Sequence, residues 1–405
     1  MAVVAAVCTA QILGMAGYSS VPALLPQFIE SWSLSNTQAG WLAGMLFAGY
    51  MLGVLPLVGL TDRFPSRSIY LTSSALSALS SFGVALSDGL APALGFRAVA
   101  GIALAGMYMP GLRALTDGMA GTKRARVAAF YTSAFTIGVS LSFLFGQIGT
   151  LLGWRSAFVL AGLLGTAGAA IAWAALPRAV VAERARTTLG FRPVFANRDA
   201  IVLILAYTAT IWGSAGLRQW IVVFLAFSAA GVGGAPAEGW SMLAVGALIN
   251  FLGVPAGLLG NELALRFGLR NAAVLIFLFS ALAGGVFGLA AMLPYIAVVW
   301  LSLIAGFIVQ GNFSNLTSGI LAVADPRHTG ATVALYSCIG FGGGFLGTLV
   351  FGITLDALGG ATVPAAWTLT FSTGGLACVA GAAATAFLSQ EVGRKRPVGP
   401  RPNST

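Results

Sequence analysis

Two pairs of side chains in this sequence set a guanidinium and a phenol at the same spacing. Arg97 precedes Tyr108 by eleven positions, and Tyr207 precedes Arg218 by eleven. At about 100° per residue, eleven positions return to within about 20° of the same helix face. Ser214 shares the face of the second pair. A guanidinium presents a planar fork of donors that grips a carboxylate or an inorganic anion at two points. Two such forks facing each other would make an anion site. More local roles compete for each residue: Arg97 tying its helix to backbone carbonyls, and Arg218 reaching to a membrane surface.

Other polar side chains lie deep in apolar stretches: Gln11, Tyr18, Tyr50, Asn250, Gln310, Asn312 and Asn315. Of these, Tyr18, Asn250 and Gln310 join the two arginines and Tyr108 and Tyr207 as candidate substrate contacts. Hydrogen bonding to a neighbouring helix is the competing role for each. Reactive groups are scarce. His328 is the single histidine, and Cys8, Cys338 and Cys378 are dispersed in apolar surroundings. With no nucleophile–base pair and no ligand cluster, neither an enzyme, a metal site nor a cofactor is expected.

These residues must be positioned by helices in a membrane. The 405 residues are 58% hydrophobic and 8% charged, and mean hydropathy is +0.91, a balance that water cannot solvate as a soluble domain. Spanning about 30 Å of hydrocarbon takes roughly 20 apolar residues. On that measure spans fall near 3–27, 37–60, 68–87, 90–116, 126–150 and 154–176. Six more fall near 200–227, 239–261, 271–291, 295–323, 330–355 and 363–388. The net charge of +10 does not point to nucleic acid, because 18 of the 21 Lys and Arg fall in segments that one orientation gathers on a single side. Only Arg97, Arg155 and Arg218 lie elsewhere, so the positive-inside rule predicts cytoplasmic termini in a cell (inner) membrane. In that orientation Arg97 and Arg218 lie in the outer halves of their spans and Tyr108 and Tyr207 in the inner halves. The eleven acidic residues fall at span ends or in loops. Two membrane arginines without buried counter-ions would favour an anionic ligand.

The chain divides into a first bundle (1–176), a polar linker (177–198), a second bundle (199–390) and a basic tail (391–405) expected to be disordered. The halves resemble each other. Gly40-Trp41 matches Gly239-Trp240, and one shift of 205 residues pairs Gly101 with Gly306, Gly106 with Gly311 and Tyr131 with Tyr336. Parallel repeats about an axis along the membrane normal are a transporter plan, with the site between them near the midplane.

After span 2 the sequence reads Gly59-Leu-Thr-Asp62-Arg63-Phe-Pro-Ser-Arg67, and after span 8 Glu262-Leu-Ala-Leu-Arg266-Phe-Gly268-Leu-Arg270. Both resemble the G-x-L-A-D-R-x-G-R-R loop of the major facilitator superfamily, at the two places where that family carries it. Val58, Pro65, Ser66 and Leu265 depart from its pattern. The resemblance implies an all-α polytopic fold of twelve transmembrane helices in two six-helix bundles related by pseudo-two-fold symmetry, and transport by alternating access. It also implies a cytoplasmic latch: Asp62 facing a helix end, Arg63 or Arg67 pairing with Asp117, and Arg266 and Arg270 in the second copy. Tyr131 and Tyr336, near the inner ends of spans 5 and 11, suit an inner gate.

The expected solute is a small organic or inorganic anion, and the expected partners are that solute and the bilayer, with the protein a monomer. An exporter of hydrophobic compounds is the alternative, weakened because span 5 reads Gly138-Val-Ser-Leu-Ser-Phe-Leu-Phe-Gly146 without the Gly-Pro of proton-coupled drug exporters. A sensor or scaffold of transporter shape without turnover is the alternative of another class.

Overall fold

The computed structural model describes residues 2–61, 63–116, 119, 121–177, 190–230 and 240–389, and its regular structure there is helical. Asp62, Asp117, the linker segment 178–189 and the tail 391–405 lie outside the described residues. Span 1 is two helices, α1 (Ala2–Gly14) and α2 (Ser20–Ser31), separated by an unwound turn. Spans 2 to 6 are α3 (Asn36–Leu60), α4 (Ser66–Ala85), α5 (Leu90–Thr116), α6 (Gly121–Leu152) and α7 (Trp154–Ala175). A short α8 (Arg192–Ala196) leads into α9 (Arg198–Ala230), α10 (Met242–Phe267) and α11 (Leu269–Leu289). Span 10 is α12 (Tyr295–Gln310) and α13 (Asn312–Val323), kinked at Gly311, followed by α14 (Thr329–Ala357) and α15 (Pro364–Ala386).

Ten of these stretches are long and apolar enough to cross a membrane by themselves. The other two spans depart for visible reasons. Span 1 is broken, and α4 carries seven serines. Their cost in hydrocarbon is offset locally, since Ser74 donates to the Tyr70 carbonyl and Ser80 and Ser81 to that of Ser77. The apolar runs also misjudge one end. Span 8 continues to Phe267, because Glu262 and Arg266 pair one turn apart (2.8 Å) and extend the helix until Gly268, at φ +83°, ends it.

Residues 2 and 389 lie at one end, with most of the arginines; this is called the basic end here, and its opposite the far end. One hydrophobic core fills the far end and draws on both halves, including Phe28, Phe143 and Trp154 from the first and Trp220, Phe351 and Trp367 from the second. At the basic end the cores separate. One, containing Val7, Tyr70, Met107 and Tyr131, belongs to the first half, with Cys338 and Phe341 packed at its edge. The other, containing Leu203, Phe277, Leu316 and Tyr336, belongs wholly to the second. The halves meet along α3 and α14, where Gly352 lies so close to Asn36 that a Cβ would strike its carbonyl oxygen.

Candidate functional site

The unwound turn of span 1 sets the geometry of the first half. Residues 15–19, with Gly14 before them and Gly17 among them, form no continuous helical ladder. Neighbouring helices supply the missing partners. Arg97 on α5 donates to the carbonyls of Gly17 (3.2 Å) and Tyr18 (3.4 Å), and the hydroxyl of Ser142 on α6 accepts from the Ser19 amide (3.0 Å). Arg97 is 1% exposed. The guanidinium is therefore held between α5 and the break, and its free Nε is enclosed by protein. Of the two roles the sequence allows Arg97, the tie to backbone carbonyls is the one this geometry contains.

Arg218 differs in each respect. It sits on α9, the most enclosed of the candidate spans, twelve residues or about 18 Å from the helix's far end. It is half-buried, its Nε is enclosed, and among the described residues its guanidinium has no hydrogen bond or ion pair. Ile211, two turns along the same face, and Ala215 pack against Phe47 of the first half, with Tyr207, Phe313, Phe341 and Phe345 around them. Phe341 also stacks on Tyr50 across the halves, at 3.7 Å between ring centroids. Trp212 Nε1 and Ser214 Oγ in the same stretch are buried without partners. The middle of the molecule thus holds aromatic rings from both halves, with Arg218 further along α9 as a cation that has no partner among the described residues. A guanidinium and aromatic rings are the groups that a ring-bearing anion would use.

The remaining polar candidates are distributed around this centre. Tyr18 and Tyr108 each pack on Phe135, at 6.1 and 4.9 Å. Gln310 ties α12 to α10 by donating to the Ile249 carbonyl (2.8 Å), and Asn250 donates to Gly246 while its Oδ1 is left unpaired. The repeat-related tyrosines occupy matching junctions. The hydroxyl of Tyr131 on α6 lies 2.8 Å from both the Gln11 side-chain oxygen of span 1 and the Met107 carbonyl oxygen of span 4, its single proton shared between them. Tyr336 on α14 stacks on Tyr207 of span 7 (3.9 Å) and shares a hydrogen bond with Thr317 of span 10 (3.1 Å). Each tyrosine is buried within its own half, so in this conformation neither stands at a mouth.

Of the residues expected to latch the basic end, Arg67 and Arg266 bond inside their own halves. Arg67 donates to the carbonyls of Leu176 (2.9 Å) and Trp173 (2.8 Å), capping the end of α7. Arg63 is exposed, Arg266 pairs with Glu262 on its own helix, and Arg270 is half-buried at the start of α11. Asp117, the expected partner of Arg63 or Arg67, and Asp62, expected to face a helix end, lie outside the described residues. His328 is partly buried, with Nδ1 3.5 Å from the Asp325 carboxylate. The Arg327 amide, foremost, holds the Asp325 carboxyl below its usual range.

One contact between the halves was missed by the sequence reading. At the far end Asp356, last turn of α14, crosses to the other half and caps α3. Its carboxylate accepts from the amides of Asn36 (3.0 Å) and Thr37 (2.7 Å) and from the Asn36 side chain (2.8 Å). A carboxylate on a helix N-terminus is a charge-assisted clasp, here joining the halves. No local pattern marks a pair 320 positions apart.

Comparison with known proteins bears on this architecture. The profile of the Major Facilitator Superfamily matches residues 7–348. The 3-(3-hydroxy-phenyl)propionate transporter of Escherichia coli is 27% identical over 346 residues, covering 82% of this chain and 81% of that one. The niacin transporter NiaP of Acinetobacter baylyi is 24% identical over 141 residues, which is 35% of this chain and only 32% of that protein. Among solved structures, a bacterial homolog of the human lysosomal transporter Spinster, inward-facing and unoccupied, superposes with a TM-score of 0.77 at 20% identity, covering 96% and 97% of the two chains. The nucleoside transporter NupG superposes with 0.74 at 13% identity, covering 95% and 98%.

Proposed function

The chain belongs to the major facilitator superfamily, and on that premise we propose that it carries a small organic anion, an aromatic monocarboxylate being the class that suits its centre best. Members of this family that match it are multi-pass membrane transporters of small solutes, and so is this chain. The observation that carries the finer reading is Arg218: a half-buried cation on a membrane helix, without an acidic partner among the described residues, on the helix whose Tyr207 and Ile211 pack among aromatic rings from both halves. A lone charge at that depth costs at least about 2.5 kcal/mol unless something compensates it. A carboxylate held bidentately would do so, and Tyr50, Tyr207, Phe313 and Phe341 would take the ring.

In this reading Arg218 binds the substrate, while Arg97 acts as a positioning residue that fixes the unwound turn and with it Tyr18. Tyr18, Tyr108, Asn250 and Gln310 shape the walls. The names of two relatives agree with the class, since niacin and 3-(3-hydroxyphenyl)propionate are both aromatic rings bearing one carboxylate. Placing the basic end in the cytoplasm, as the positive-inside rule directs, makes the conformation described here closed to the outside. Transport then requires the Asp356 clasp and the shared far-end core to part while the basic-end cores come together.

The test is uptake into proteoliposomes of labelled benzoate, 3-phenylpropionate, nitrate and benzyl alcohol. The reading expects saturable uptake of the two aromatic carboxylates, each competing with the other. Equal uptake of benzyl alcohol, or no uptake of either carboxylate alongside rapid nitrate uptake, would overturn it.

A further inference from the structure

At the basic end of the first half, α1, α5, α6 and α7 leave a cavity of about 440 Å³ between them. Its walls are apolar, with Val4, Leu115, Val127 and Phe130 among them, and its edge carries Lys123 and Arg126. The lining residues belong to the first half, apart from Pro177 at the start of the linker, and the second half contributes none. Val127 is buried, whereas Lys123, Arg124 and Arg126 are exposed and have no acidic partner among the described residues. The long helix α6 starts at Gly121, so the positive end of its dipole reinforces those three cations.

An occupant that satisfies this cavity must be apolar along its length and anionic at its head. It must also be found where spans end at the bilayer surface. A small inorganic anion would satisfy the rim and leave the apolar walls unfilled, while a neutral lipid would fill the walls and leave the cations unpaired. We propose that the cavity holds an acyl chain of an anionic glycerophospholipid, with the phosphate between Lys123 and Arg126. The lipid braces the basic ends of α1, α5 and α6, the helices that Tyr131 joins through Gln11 and Met107.

Native mass spectrometry of the full chain, released from nanodiscs of equal phosphatidylglycerol and phosphatidylcholine, tests this. One phosphatidylglycerol should be retained in preference to phosphatidylcholine. Combining Lys123→Gln with Arg126→Gln should weaken that retention about 30-fold, roughly fivefold per cation. Both side chains are exposed, so this variant keeps the fold, which its thermal unfolding checks. Ala114→Phe keeps every charge but fills the cavity from α5, and should also lose the retained lipid. Equal retention of the two lipids in the unmodified chain would overturn the proposal, as would preference for phosphatidylglycerol surviving in the double variant. Preference surviving in Ala114→Phe alone would overturn the acyl-chain placement, leaving only a headgroup contact.

Discussion

At the far end, one core runs through both halves and a carboxylate from α14 caps α3; at the basic end, each half has its own core, and Arg67, Tyr131 and Tyr336 bond within their halves. The far end is held by burial of large aromatics such as Trp220 and Trp367, supplemented by three hydrogen bonds to Asp356. The basic end uses arginines and tyrosines as internal braces: Arg67 on α7, Tyr131 on spans 1 and 4, Tyr336 on spans 7 and 10. The contrast fits the proposed carrier, in which the halves would rock about a site between them. On that proposal the contacts that break lie between the halves at one end, and those that persist lie inside each half.

Four substitutions test that division, beginning with the largest expected effect. Gly352→Val puts a side chain against the Asn36 carbonyl and should wedge the far end apart, at a cost of about 1–3 kcal/mol. Spin labels at Ser33 and Leu358 would then report a longer distance; an unchanged distribution would break the comparison. Asp356→Ala removes the clasp but not the core, so the same labels should show a smaller shift, worth roughly 1–2 kcal/mol. Tyr131→Phe should lower thermal stability by about 1 kcal/mol while leaving the far-end distance alone. A change in that distance would mean that Tyr131 couples the halves after all. Arg266→Gln deletes an exposed pair on one helix and should alter stability by no more than about 0.5 kcal/mol.

Much of this fold is legible in the sequence because its signals are local. Apolar runs mark the spans, and the shift that pairs Tyr131 with Tyr336 places both in equivalent three-helix junctions. The break in span 1 also had a local signal, Gly14-Met-Ala-Gly17-Tyr-Ser-Ser, which an apolar count smooths over. The chemistry of Arg97 and Arg218 was visible as residue type and spacing, but not which arginine was already occupied. That depends on the Gly17 and Tyr18 carbonyls, some 80 positions from Arg97, freed by the unwound turn. Asp356 was invisible for the same reason: its value lies in two amides from the other half. Long-range partners, rather than residue types, are what the one-dimensional reading lacks.

The central claim is that Arg218 alone holds the substrate's charge. Its most direct test is uptake of labelled 3-phenylpropionate by proteoliposomes carrying the unmodified chain, Arg218→Lys or Arg218→Gln, at equal amounts of folded protein. Removing one partner of an enclosed charge pair costs about 2–5 kcal/mol, so Arg218→Gln should lower uptake at limiting substrate by about 30-fold or more. Arg218→Lys, which keeps the charge and loses the fork, should fall between the two. Uptake by Arg218→Gln equal to that of the unmodified chain would contradict the account.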